Sequence, residues 1–185
     1  MKAEHAFPPA GQKPVTQRAV LALGANVGDR IEQLQGALRA LAGSPGVTVV
    51  AVSGVYETDP VGGPEGQPPY LNAVVLIDTV LSPSQLLERA HVIERAFGRD
   101  REAEVRFGPR TLDVDIIAYG QLTSDDPVLT LPHPRAHERG FVLVPWCEAD
   151  PGAQVPGRGP VKELLGGIDV DGVRFRDDLT LRVDA

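Results

Sequence analysis

Six stretches of the chain carry a regular hydrophobic pattern, and their order predicts a fold. Arg18 to Leu23 is a short apolar run ending in Gly24-Ala25-Asn26-Val27-Gly28-Asp29-Arg30, which reads as a strand, a tight turn and a helix start with Asp29 near the cap. Ile31, Leu34, Leu38 and Leu41 recur at helical spacing, so a helix is expected over Asp29 to Ala42, closed by Gly43 and Pro45. Val47 to Tyr56 and Tyr70 to Thr79 are rich in β-branched residues and read as the second and third strands. A second helix is expected over Ser82 to Phe97, with Ser82 as cap, Pro83 at the first helical position and Leu86, Ala90, Ile93 and Phe97 as its buried stripe. Thr111 to Tyr119 is the fourth strand. This βαββαβ order is that of a ferredoxin-like α+β domain, an antiparallel sheet backed by helices.

The remaining segments are less regular. Glu57 to Pro69 is too long for a tight hairpin and has the length of a functional loop. Gly98 to Arg110 is a second loop bearing glycine and charge. Leu131 to Phe141 is a proline-broken turn, and Val142 to Glu148 is a compact apolar piece. Beyond Asp150 a short helix is expected at Val161 to Leu165, with strand-like ends at Val173 to Phe175 and Leu179 to Val183. Residues 1–17 lack an apolar period and read as a mobile extension, which leaves 18–185 as a single domain.

Composition narrows the function. A net charge of −7 over 185 residues argues against a nucleic-acid or membrane-surface binder, though a polyanionic small ligand needs only a local basic cluster. Lysine occurs only at Lys2, Lys13 and Lys162, so a Walker-type phosphate loop in the centre of the chain is excluded. The lone Cys147 rules out an intramolecular disulfide and a multi-cysteine zinc site. With no apolar run of signal-peptide or membrane-spanning length, a cytoplasmic protein is expected, and as nothing suggests an obligate interface, a monomer.

The candidate chemistry centres on Arg106-Phe107-Gly108-Pro109-Arg110-Thr111-Leu112-Asp113-Val114-Asp115. Period-two alternation puts Asp113 and Asp115 on one face of the fourth strand and Leu112, Val114 and Ile116 on the other. Two adjacent carboxylates repel unless a cation lies between them, and Mg²⁺ needs only one or two carboxylates when phosphate oxygens and water complete its shell. Arg99, Arg101, Arg106 and Arg110 add planar donors for phosphate. The plainer alternative is the polar side of an exposed strand. Carboxylates with arginines suit phosphoryl transfer, and two metal ions on such a pair could clamp a triphosphate. A second set, Tyr70, Asn72 and Phe141, could sandwich a flat heterocycle and read its edge, although ordinary core packing explains either ring alone. His91 and Glu94, one turn apart, could face a ligand or form a surface pair. No Cys-His pair, GxSxG or HExxH motif supports a hydrolase.

Five blocks, in order, carry a family likeness. Leu23 to Gly28, Tyr56 to Gly62, Tyr70 to Ala73, Gly108 to Asp115, and Pro132-His133-Pro134 with Arg139-Gly140-Phe141 closely resemble the 6-hydroxymethyl-7,8-dihydropterin pyrophosphokinases, over about Ala19 to Pro151. The resemblance implies the ferredoxin-like fold, a role in folate synthesis, and transfer of pyrophosphate from ATP to the pterin hydroxymethyl group, leaving AMP. It implies that Asp113 and Asp115 hold two Mg²⁺ ions, and that Arg99 and Arg110 assist transfer. Arg101, His133 and Arg139 would contact ATP, with Glu94 and His91 in the nucleotide region. Tyr70 and Phe141 would stack on the pterin, with Asn72 and the backbone near Thr58 and Val61 reading its edge. The chain has Phe107 where many relatives have tryptophan, and His91 where glutamine is common. Another Mg²⁺-dependent transferase, or a non-catalytic pterin or nucleotide binder, would share much of this equipment.

Overall fold

The computed structural model describes residues 15–100 and 108–184. The expected strand and helix order is present. Strand β1 (Gln17–Ala25) leads into helix α1 (Arg30–Ala42), whose cap is Asp29 with its carboxylate accepting the Glu32 N–H. Strands β2 (Val47–Val52), β3 (Tyr56–Thr58) and β4 (Tyr70–Thr79) follow, then helix α2 (Pro83–Ala96) and strand β5 (Asp113–Tyr119). Ser82 and Gln85 close α2 in a reciprocal capping box, so two otherwise unpaired N–H groups are satisfied at its start.

The sheet runs β5-β1-β4-β3, with β2 also paired to β4, and the pairings among these strands are antiparallel. Counting β2 and β3 as one interrupted strand, this is the ferredoxin-like order. The expected single strand from Val47 to Tyr56 is in fact broken at Ser53-Gly54-Val55. At Gly54 a Cβ would stand 2.5 Å from the Phe175 ring and 3.2 Å from the Glu148 carboxylate, so chain segments from two other parts of the fold approach the backbone there. Ser53 replaces the lost ladder bonds, its N–H donating to Val74 O and its Oγ accepting the Val74 N–H, both at 2.9 Å.

One sheet face is sealed. Leu21, Leu23, Val75, Ile77, Val114 and Ile116 pack beneath Leu34 and Leu38 of α1 and Leu86 and Ile93 of α2. The opposite face is covered over part of its length by α3 (Gly140–Ala149), which sets Val142, Leu143 and Trp146 on Val20, Val74, Leu76 and Ile117. A bulge in β5 skips Ile117 in the pairing with β1, and Ile117 and Ala118 both pack in this second core.

The C-terminal part comprises β6 (Gln154–Val155), β7 (Gly159–Pro160), α4 (Val161–Leu165) and β8 (Arg174–Phe175), which pairs with β3. The helix expected at Val161 to Leu165 is present. Leu179 to Val183 is not a strand: Leu181 is buried in the first core, and the Gln35 amide of α1 bonds both backbone groups of Arg182, at 2.7 and 2.9 Å, in place of a ladder. Among the described residues no helix is long and apolar enough to cross a membrane.

Candidate active site

The site lies where α3 stops covering its face of the sheet. Along that face Val20, Ala22 and Gly24 succeed one another on β1, Leu76, Val74, Asn72 and Tyr70 on β4, and Ile117, Asp115 and Asp113 on β5. The register pairs Gly24 with both Asn72 and Asp113, and Ala22 with both Val74 and Asp115. The β4 and β5 rows thus change from apolar to polar at the edge of α3, and the β1 row between them ends in glycine. A cavity of about 560 Å³ opens over the polar end.

Its floor is narrow in side chain. A Cβ on Gly24 would stand 3.5 Å from Asn72 Oδ1, 3.9 Å from the Tyr70 ring and 4.0 Å from Asp113 Cβ, so the glycine leaves open a space that the fold could otherwise fill. Asn72 is buried, its amide donating to Thr58 Oγ1 at 2.8 Å and Tyr56 O at 3.4 Å. Thr58 and Val61 border the cavity on one side, Arg139 and Phe141 on another. Arg139 lies over the Phe141 ring at 5.4 Å, and the Tyr70 hydroxyl donates to Gly108 O at 3.3 Å.

The two aspartates have opposite electrostatics. Burial pulls the Asp113 carboxyl upward, but Arg110 and Arg99 together outweigh it and hold the group below its ordinary value. Arg99 Nη1 donates to Asp113 Oδ1 at 2.6 Å and Arg110 Nη1 to Oδ2 at 2.9 Å. Asp115 is pushed up to about 7 by burial and then by the Asp113 charge, only partly offset by Arg139 and Arg110. No hydrogen bond to the Asp115 carboxylate is made among the described residues.

A second cavity of about 250 Å³ lies on the far side of Asp115. Leu87 and His91 of α2 border it, as do Leu129, Thr130 and His133 of the turn after β5. His133 is tied to β5 by its N–H, which donates to Ile117 O at 2.8 Å. Burial, then the Arg139 charge, lowers His133 to about 4, so its ring is neutral near pH 7. Asp115 borders both cavities.

Most of the expected site residues converge here. Thr58, Val61, Tyr70, Asn72, Arg110 and Phe141 border the larger cavity with Arg139 and both aspartates, and His91 and His133 border the smaller. Arg99 and Glu94 take a different place from the one expected. Glu94 is completely buried, receiving Arg99 Nη1 and the Val114 N–H, the latter at 2.9 Å. Arg99 is 4% exposed in its side chain and spans Glu94 and Asp113, so both stand behind the carboxylate pair and border neither cavity. Arg101, Arg106 and Phe107 lie outside the described residues.

Sequence reasoning missed Asn26. Its Oδ1 accepts the Arg110 N–H at 2.8 Å, its own N–H donates to Arg110 O at 3.1 Å, and its amide donates to Pro68 O at 3.2 Å, so one buried side chain joins the turn after β1 to both long loops. A polar residue directly after an apolar strand was the available signal. Arg135, Glu138 and Asp169 also border the larger cavity.

The chain is similar to known proteins. The family model for 7,8-dihydro-6-hydroxymethylpterin-pyrophosphokinase matches residues 20–151. A 2-amino-4-hydroxy-6-hydroxymethyldihydropteridine pyrophosphokinase of Methylorubrum extorquens is 46% identical over 156 residues, covering 84% of this chain and 96% of the relative. One from Mycobacterium tuberculosis is 43% identical over 181 residues, covering 89% and 93%. The crystal structure of wild-type Plasmodium falciparum HPPK-DHPS with pteroate shares the fold at a TM-score of 0.64 and 16% identity, over 84% of this chain and 43% of that one, so the chain spans less than half of that larger protein. The chain belongs to the 7,8-dihydro-6-hydroxymethylpterin-pyrophosphokinase family and is a diphosphotransferase.

Proposed function

We propose that this protein transfers the terminal diphosphate of ATP to the hydroxymethyl group of 6-hydroxymethyl-7,8-dihydropterin, releasing AMP, as a step of folate synthesis. The observation that carries the reading is the position of Asp115 between two cavities, one suited to each substrate. The larger has the Tyr70 and Phe141 rings and the Asn72 amide, which suit a flat heterocycle with polar edges. The smaller combines Leu87 and Leu129 with neutral His133, which suits a purine base and sugar more than a free phosphate. The phosphates would then cross the carboxylate pair.

The donor set fits Mg²⁺. Asp115 is a half-buried carboxyl that holds its proton up to about neutral pH, and a divalent ion replacing that proton would relieve its repulsion with Asp113. Among the described residues there is no group of three or more His, Cys, Asp or Glu side chains able to hold a metal, so any ion at Asp113 and Asp115 would need the remaining oxygens from triphosphate and water, as Mg²⁺ commonly does. Two such ions would neutralise the phosphate charge and favour attack at the β-phosphorus. The chain's own part is positioning. Arg99, anchored on Glu94, fixes Asp113, while Arg110, held by Asn26, bonds the same carboxylate at the edge of the larger cavity, where it would neutralise charge on the transferred diphosphate. Arg139 lies over the Phe141 ring at the edge of the larger cavity, and its charge acts on Asp115.

The test is AMP release from ATP, with and without the pterin, by wild type and Asp115→Ala. The reading expects pterin-dependent AMP in wild type and a loss of about a thousandfold in the variant, on the order of 4 kcal/mol of transition-state stabilisation. Activity of the variant within a few-fold of wild type would remove the metal role. Binding of both ligands without AMP would instead make the chain a pterin and nucleotide binder.

A further inference from the structure

The family match ends at residue 151, yet Asp169, Gly172 and Val173 border the larger cavity. They belong to a C-terminal strap. It turns at Asp169, whose carboxylate accepts the Asp171 N–H at 2.9 Å, and then pairs with β3 through β8.

The strap grips the arm that carries one wall of the cavity. The Arg176 N–H donates to Val55 O at 2.8 Å, and its Nη1 donates to Glu57 Oε2 at 2.9 Å. Arg174 takes both Asp59 oxygens, at 3.1 and 3.3 Å, and lies 3.6 Å from Glu57 Oε1. Glu57 Oε2 also accepts Arg30 Nη1 at 3.0 Å, and that same nitrogen donates to Pro69 O at 2.8 Å. One carboxylate therefore ties down both ends of the 59–69 loop, its start through the strap and its end through α1. On its other side the strap meets α3: a Cβ on Gly140 would stand 3.1 Å from Val173 and 3.2 Å from Val170, one residue before Phe141.

We infer that Arg174 and Arg176 are positioning residues for the acceptor, setting the Glu57–Gly62 arm against the Phe141 side of the cavity. The inference rests on the pterin assignment above. The physical reason is entropic. The 59–69 loop has glycines at positive φ at Gly62, Gly63 and Gly66, and a loop ordered only on binding subtracts its ordering cost from ligand affinity. A strap that orders the arm beforehand removes that cost for the acceptor alone, because it borders only the larger cavity. A single exposed ion pair contributes little, so the effect resides in the shared network of Arg174, Arg176, Glu57 and Asp59.

The test is a set of separate AMP-release titrations in pterin and in ATP for wild type, Arg174→Ala, Arg174→Glu and the Arg174→Ala/Arg176→Ala double variant, with thermal midpoints measured alongside. The expected result is a pterin KM raised about twofold by Arg174→Ala and about tenfold by the double variant. Arg174→Glu should exceed Arg174→Ala, since it faces Asp59 and Glu57 with like charge. ATP KM and kcat should stay within twofold throughout, and the midpoint of Arg174→Ala should not move. An unchanged pterin KM in Arg174→Glu, or parallel rises for both substrates, would overturn the inference. Arg174 is exposed, so its two single variants decide the matter even if the double variant folds poorly. Wild type forming no AMP would be a failure of the pterin assignment itself, and the inference would fall with it.

Discussion

The two faces of the sheet are built from the same strands and end differently. On the face beneath α1 and α2, apolar side chains run along the strands and two amphipathic helices seal them. On the other face α3 packs over only part of the sheet, and the rows continue past it into Gly24, Asn72, Tyr70, Asp113 and Asp115. Side-chain alternation makes this possible, since each strand can serve a sealed core on one side and a site on the other. The difference teaches that the site's rigidity comes from the sealed face and its chemistry from the uncovered one.

That contrast can be broken at several points. The largest effect is expected from Arg99→Ala, which lies where the two faces meet. It would strand the Glu94 carboxylate in the core and free Asp113, costing about 3–5 kcal/mol of stability and also lowering turnover, as read by denaturant unfolding and AMP release. Leu38→Ala, wholly on the sealed face, should cost about 3 kcal/mol of stability while leaving both KM values unchanged in the folded fraction.

The uncovered face should show the reverse signature. Asp115 holds a proton up to about 7 in the folded chain and only to the ordinary aspartate value of 3.8 when unfolded. Between those values the folded state binds more protons than the unfolded one, so stability falls as pH rises. The contribution is fully present below the unfolded value and is lost by about pH 7. Because the carboxyl keeps contact with the cavity, its size is on the order of 2 kcal/mol. Asp115→Asn should abolish that slope and stabilise the metal-free protein near pH 7 while removing activity, as read by unfolding at pH 4 to 8. Asp113 is shifted the opposite way, so its contribution is lost only on acidification through its lowered value. The smallest effect is expected from Gly24→Ala. Its Cβ meets neighbours at ordinary contact distance, so the fold should tolerate it, while the pterin KM rises about tenfold from a methyl on the cavity floor.

Much of this was legible in the chain. The βαββαβ order followed from periodicity and caps, because Asp29, Ser82 and Pro83 mark the helix starts as local chemistry dictates. The placing of Asp113 and Asp115 opposite Leu112, Val114 and Ile116 followed from strand alternation alone. Other features depend on contacts far apart in sequence. The break at Gly54 reflects the approach of Phe175 and Glu148. Helix α3 carries Pro145 inside it and buries residues without a clean polar face, so no helical period betrays it. The burial of Glu94 was hidden because its partner Arg99 looks like a loop residue until α2 and β5 are side by side. Leu179 to Val183 alternates like a strand but finds the Gln35 amide in place of a neighbouring strand.

The most direct test of the account is a crystal structure of the chain with Mg²⁺, a non-hydrolysable ATP analogue and the pterin. The account expects Mg²⁺ about 2.1 Å from carboxylate oxygens of Asp113 and Asp115, the pterin in the cavity bordered by Tyr70 and Phe141, and the nucleoside in the cavity bordered by His91 and His133. A cation bound away from both aspartates, or the pterin and nucleoside sharing one cavity, would contradict it.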